Sequence, residues 1–195
     1  MVTSSLPREG KTFVAANLAA SLAGGMDQHA LLVDCDLRKP SVAKVFGING
    51  DEGLVDYLRD GVELHKLFTK TVLRKLSVLP GGVSPLNAAE LLSSARMSEL
   101  VSELAARYED RIIIFDTPSV MTAAETRVLA RCVDGVIVVV REGKAGKEQI
   151  LQTIDAVGRN NLIGFVYNDN QTSVFEKAYR HRNRYRYSGD SGDDR

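Results

Sequence analysis

Five short runs rich in Val, Ile and Leu recur along the chain: ALLVDC (30–35), LSVL (76–79), RIIIFD (111–116), GVIVVV (135–140) and LIGFVY (162–167). They read as continuous rather than alternating, the pattern of strands covered on both sheet faces. Stretches with helical spacing lie between them. From Met97, apolar residues return at Leu100, Val101, Leu104, Ala105 and Tyr108, with Ser94 placed to cap the helix. The run FVAANLAASLA after Thr12 is apolar nearly all round, which predicts a buried helix ending at Gly24-Gly25. Strand alternating with helix predicts an α/β domain of three layers, a mostly parallel central sheet flanked by helices. At 195 residues and 44% hydrophobic, the chain has enough apolar mass for one such core.

Composition excludes several classes. The 25 basic and 25 acidic residues balance, so bulk charge gives no drive toward nucleic acid. Cys35 and Cys132 lie far apart in apolar runs and read as buried thiols of a reducing compartment. Neither a signal peptide nor a membrane-length apolar run is seen, and a cytoplasmic location is expected. Residues 1–170 read as the folded domain, with a first strand that looks truncated to Met1-Val2-Thr3. Residues 171–195 read as a flexible tail in which arginines interleave with Tyr179, Tyr185 and Tyr187.

That stub runs into Ser5-Leu6-Pro7-Arg8-Glu9-Gly10-Lys11-Thr12. The stretch follows the pattern G-x-x-x-x-G-K-[ST], with Ser5 at the opening glycine. In that pattern backbone N–H groups and a helix N-terminus cradle phosphate. Lys11 would reach the β- and γ-phosphates of ATP or ADP, and the Thr12 hydroxyl would meet Mg²⁺. Ser5, Pro7, Arg8, Glu9, Gly10, Lys11, Thr12 and Phe13 form the candidate nucleotide-binding set. An exposed turn is the bland alternative, and Arg8 is the awkward member, bringing a long side chain to a turn usually kept bare.

Two further strands end in acid. LLVDCDLRKP carries Asp34 and Asp36, which at a spacing of two face the same side of a strand and are candidates for metal or proton chemistry. RIIIFDTPSV ends in Asp116, the position from which an acid acts on Mg²⁺ through water. Solvated loop acids are the competing reading for each alone. Together, three motifs at strand ends predict a nucleotide site.

The set TSSLPREGKT, LLVDCDLRKP, LPGGVSPLNAAELLSS and IIIFDTPSV resembles the cytoplasmic domain of bacterial tyrosine kinases (BY-kinases), over roughly residues 2–168. The family loop resembles T-S-x-x-P-G-E-G-K-[ST], in which Ser5 is ordinary and Arg8 replaces a glycine. By that resemblance Lys11, Asp34, Asp36 and Asp116 are catalytic, and Thr12, Asp34 and Asp116 hold Mg²⁺. VYNDN (166–170) then sits where the family's strand leads toward the base pocket, with Asn168 as an adenine contact or as a turn residue. The resemblance further implies autophosphorylation in trans at Tyr179, Tyr185 and Tyr187 within a homo-oligomeric ring. It implies a membrane polysaccharide co-polymerase as activator at the inner face of the plasma membrane, a cognate tyrosine phosphatase, and control of exopolysaccharide or capsule export. The exposed tyrosines of the flexible tail could enter a neighbour's site, whereas Tyr57 and Tyr108 are expected to be buried. The alternatives are a MinD/ParA-like positioning ATPase, against which Leu6 counts because such proteins carry a lysine there, and a scaffold of the same fold with impaired nucleotide binding.

Overall fold

A computed structural model describes residues 1–25 and 28–169. Among these residues, seven strands are β1 Val2–Ser4, β2 His29–Asp34, β3 Thr69–Lys70, β4 Leu76–Leu79, β5 Arg111–Asp116, β6 Val136–Arg141 and β7 Leu162–Asn168. The helices are α1 Lys11–Ala23, α2 Val42–Phe46, α3 Leu54–Asp60, α4 Leu64–Leu67, α5 Ala88–Leu92, α6 Ala95–Arg107, α7 Glu125–Leu129 and α8 Lys147–Val157. The sheet order is β3-β4-β2-β5-β1-β6-β7, parallel throughout except for the β3–β4 pair. All five apolar runs are strands, and the α/β architecture follows from their alternation with helices.

β1 is short, yet it sits between β5 and β6. Val2 pairs with Asp116 on one side, and Val2, Thr3 and Ser4 pair with Ile137, Val138 and Val139 on the other. The loop after β1 therefore leaves the middle of the sheet at the carboxyl ends of its strands, where open parallel sheets hold ligands.

Two cores cover the two faces, following the period of two within each strand. Ala30 and Leu32 of β2 pack with Ala15, Ala16 and Ala19 of α1. Leu31 and Val33 face the other way, against Leu58, Leu92, Leu100 and Leu104. Ser94 caps α6 as its sequence suggests, accepting from the Met97 N–H at 3.2 Å. Three expectations need correction. α1 is buried on one face only: its alanines let it lie close to the sheet, and Phe13 is left 65% exposed. β7 is an edge strand, so Ile163, Phe165 and Tyr167 of its apolar run face outward and are exposed. Cys35 is buried, but Cys132, Tyr57 and Tyr108 are only partly so. Among the described residues, no helix is long and apolar enough to cross a membrane.

One close approach fixes the wall beside the β2 carboxyl end. Gly53, at the start of α3, lies so near the 80–82 turn that a Cβ there would meet the Pro80 carbonyl oxygen at 2.1 Å, while Leu54 N–H donates to that same oxygen at 2.7 Å. Gly53→Ala is therefore expected to lower stability by roughly 1–3 kcal/mol, the usual cost of forcing atoms into a packed site. A urea melt checks this, and an unchanged midpoint would show that the turn yields freely.

Candidate functional site

The loop Ser5–Gly10 is held from several directions. Ser5 is fully buried, and its hydroxyl accepts from Thr153 of α8 at 2.9 Å. Its carbonyl takes the Met121 N–H at 3.3 Å. Glu9 has no exposed surface. Its carboxylate accepts the Leu6 N–H at 2.6 Å and the Arg141 backbone N–H at 3.3 Å, closing the turn on itself and tying it to β6. Pro7 and Arg8 are exposed at the tip.

The backbone at the tip is left-handed twice: φ is +64° at Arg8 and +93° at Gly10. Glycine adopts this freely, and at Gly10 a side chain would strike the Asn168 amide, with a Cβ 2.1 Å from Nδ2. Arg8 adopts it at a cost of about 1 kcal/mol or more. Left-handed residues alternating with right-handed ones curl successive N–H groups into an anion-binding concavity. Among the described residues, neither the Glu9 N–H nor the Gly10 N–H donates to any partner. Lys11 opens α1, so the helix N-terminus faces the same space. Asn168 sits at the end of β7, and its amide nitrogen donates to the Glu9 carbonyl at 2.9 Å.

The acids gather beside the loop. Asp34 and Asp116 end neighbouring parallel strands as register partners, and both are fully buried. Asp34 accepts three backbone N–H groups, from Asp36 at 3.2 Å, Ser41 at 2.8 Å and Val42 at 2.9 Å. Burial nonetheless pushes its pKa up to about 6, with those bonds opposing and the Asp36 charge adding. Asp116 has no hydrogen-bond partner for either oxygen among the described residues. Burial raises its pKa to about 7; the Thr12 hydroxyl and the Lys11 charge oppose the rise without making a well-formed bond, and the Asp34 and Asp36 charges add to it. Asp36 turns instead to Lys11, with Nζ 3.6 Å from its carboxylate. Thr12 lies 3.5 Å from the Ser41 hydroxyl.

A buried, partnerless carboxylate beside a threonine hydroxyl and a phosphate-shaped loop fits a hydrated divalent cation that also touches phosphate. Among the described residues, no three His, Cys, Asp or Glu side chains form a cage of their own. That is the ligand economy of Mg²⁺, which is usually held by one or two carboxylates, waters and phosphate oxygens.

The structure thus brings Lys11, Thr12, Asp34, Asp36 and Asp116 together at one end of the sheet, with Asn168 behind the loop. Phe13 points out of α1 and is exposed. Tyr179, Tyr185 and Tyr187 lie outside the described residues. Sequence reading gave Glu9 no specific task and missed Arg141 and Glu125. Glu125 is buried and forms a 2.7 Å ion pair, lacking hydrogen-bond geometry, with Arg38 from the segment after β2. Glu125 and Arg141 leave no local signal, because their partners are remote in sequence.

The fold and this site define a P-loop nucleotide-binding domain. Residues 9–164 match the AAA domain family. The chain is 37% identical over 89% of its length to tyrosine-protein kinase YwqD of Bacillus subtilis, spanning 73% of that protein. Its fold matches the kinase domain of the Escherichia coli tyrosine kinase Etk with a TM-score of 0.81 at 29% identity, covering 89% of this chain and 69% of that one. It matches the VpsO kinase domain with a TM-score of 0.78 at 36% identity, covering 86% and 82%. Other curated tyrosine-kinase relatives are longer, and the chain spans about a quarter of their length. The chain belongs to the bacterial tyrosine kinases and is a tyrosine autokinase domain of that family.

Two substitutions test the site's energetics. Arg8→Gly keeps the left-handed turn without its steric cost, and should raise stability by up to about 1 kcal/mol, glycine's chain entropy offsetting part of the gain. A shift of urea midpoint at constant slope reads it; a loss would mean that the Arg8 side chain holds the loop. For Asp116, a folded pKa of about 7 against an ordinary 3.8 means that the folded state binds the proton more tightly. Its contribution to stability therefore falls as pH rises between those values. Asp116→Asn should melt a few degrees above the parent at pH 8 without nucleotide or Mg²⁺, and the gap should close by about pH 4. A gap that widens on acidification would reverse the sign of this account.

Proposed function

We propose that this domain transfers the γ-phosphoryl group of ATP to tyrosines of a second copy of the chain, Tyr179, Tyr185 and Tyr187, in an Mg²⁺-dependent reaction. The observation that carries the reading is the buried carboxylate of Asp116, which among the described residues has no hydrogen-bond partner, beside Lys11, Thr12 and a loop whose Glu9 and Gly10 N–H groups donate to none of those residues. Mg²⁺, held through Thr12, Asp34 and Asp116, would neutralise charge on the phosphate oxygens.

The chain's own groups do the rest. The Glu9 and Gly10 N–H groups and the α1 N-terminus bind the phosphates. Lys11, now on Asp36, swings to the β- and γ-phosphates when nucleotide arrives and releases the Asp36 carboxylate. Asp36 or Asp34 then accepts the phenolic proton as the tyrosine oxygen bonds to phosphorus and the bond to the ADP oxygen breaks. Catalysis of this kind is positioning and electrostatics more than covalent chemistry. Each phosphate added to the tail brings close to two negative charges among its arginines, enough to change how copies associate.

We place the domain at the inner face of the plasma membrane, in a homo-oligomeric ring, activated by a membrane polysaccharide co-polymerase and reversed by a cognate tyrosine phosphatase, where it regulates exopolysaccharide polymerisation and export. Family membership supports this assignment. The septum site-determining protein MinD of Pyrococcus horikoshii, which shares the fold at 22% identity and is solved as a complex with Mg-ADP, supports the choice of cofactor.

Mass spectrometry after incubation with Mg-ATP and the activating partner should find phosphate on Tyr179, Tyr185 or Tyr187, and none in Lys11→Ala. Phosphate confined to other residues, or ATP hydrolysis stimulated by lipid without phosphotyrosine, would overturn the reading.

A further inference from the structure

The geometry points to Arg141 and Asn168 as positioning residues that set the phosphate affinity of the loop by holding two of its carbonyls outward. The inference rests on the proposed nucleotide reading of that loop.

In a trans peptide the C=O of one residue and the N–H of the next point in opposite directions. Holding one therefore aims the other. The Arg8 carbonyl accepts from Arg141 Nη1 at 3.3 Å. The Glu9 carbonyl accepts from Asn168 Nδ2 at 2.9 Å. The two N–H groups on the far side of those same peptide planes belong to Glu9 and Gly10, and among the described residues neither donates to a partner. Both peptide planes are thus fixed from behind, so the donors are aimed before any phosphate arrives.

Arg141 is itself held. Its Nε donates to Asp169 Oδ2 at 2.8 Å, and its Nη2 donates to the same oxygen. Its backbone N–H meets the buried Glu9 carboxylate at 3.3 Å. The guanidinium and Asp169 are each about two-fifths exposed, so as an ion pair alone they would add little to stability. Their effect here is orientational: Asp169 fixes the fork, and the fork fixes the Arg8 peptide. Asn168 can serve the Glu9 carbonyl only through its NH₂, so its amide orientation is determined by the contact. Both groups come from the adjoining ends of β6 and β7, which pair Arg141 with Asn168.

The test compares Mg-ADP, Mg-GDP and Mg-tripolyphosphate by calorimetry. Tripolyphosphate has no base, so it reports on the loop alone. In the wild type all three should bind, with ADP preferred over GDP. Arg141→Ala and Asn168→Ala should each weaken ADP and tripolyphosphate by about the same factor, roughly tenfold, and leave the ADP-to-GDP ratio unchanged. Arg141→Lys, which keeps the charge but loses the fork, should recover only part of the loss. Asp169→Asn, which leaves the loop contacts untouched, should weaken both ligands about threefold and serves if Arg141→Ala does not fold. Melting without ligand should move little in each variant that folds.

Variants that bind tripolyphosphate like the wild type overturn the inference. So does an Asn168→Ala protein that loses only its preference for ADP over GDP, since Asn168 would then read the base. Wild-type protein that binds neither ADP nor tripolyphosphate overturns the nucleotide reading itself and the inference with it.

Discussion

Two carboxylates meet in register at the centre of the sheet, and the site is organised around that conflict. Asp34 and Asp116 are partners on adjacent parallel strands, and neither has exposed surface. Burial alone disfavours both charges, and each charge disfavours the other. The chain resolves half of the conflict. It folds the segment after β2 back so that three N–H groups converge on Asp34, which fixes Ser41 and the start of α2 close to the Thr12 hydroxyl. It leaves the other half open at Asp116. The apolar layers on the two faces of the sheet supply the stability that permits this. A cation that binds there adds to folding stability by mass action, since it prefers the folded state with both acids ionised.

The sequence makes the frame legible for a definite reason. A buried parallel strand must be apolar on both faces, and nothing else in a chain of this size produces five such runs with helices between them. The same rule misleads at β7, because an edge strand can carry the same residues with one face outward. It is silent at β1, where Val-Thr-Ser holds the middle of the sheet with three residues, and at β3, which has two. α1 looked apolar all round because alanine scores as apolar, whereas its function on this helix is closeness to the sheet.

At the candidate site, the residues that the structure gathers were readable: Lys11, Thr12 and the three aspartates stand out in the sequence by type and place. Residues that act by holding others were not. Glu9 passes for a solvated acid in a loop, and only its complete burial reveals a brace. Arg141 lies more than a hundred residues from the loop it touches, at the end of a strand, where an arginine is unremarked. The partition between Asp34 and Asp36 was invisible as well, since a spacing of two places both on one side and cannot say which is bonded to backbone and which to lysine.

Arg8 brings these threads together. Its side chain is exposed and makes no hydrogen bond or ion pair among the described residues, and the sequence pattern it resembles has glycine there. As backbone it is essential, because its left-handed turn aims the next N–H, and its carbonyl rests on Arg141. A glycine there would flex between hands and would gain most from an external hold on its carbonyl. An arginine is strained in the left-handed state and would relax out of it unless held. Either residue therefore needs the clasp from β6, for opposite reasons, and the anomaly in the sequence is a change of side chain at a position where the fold uses only the peptide.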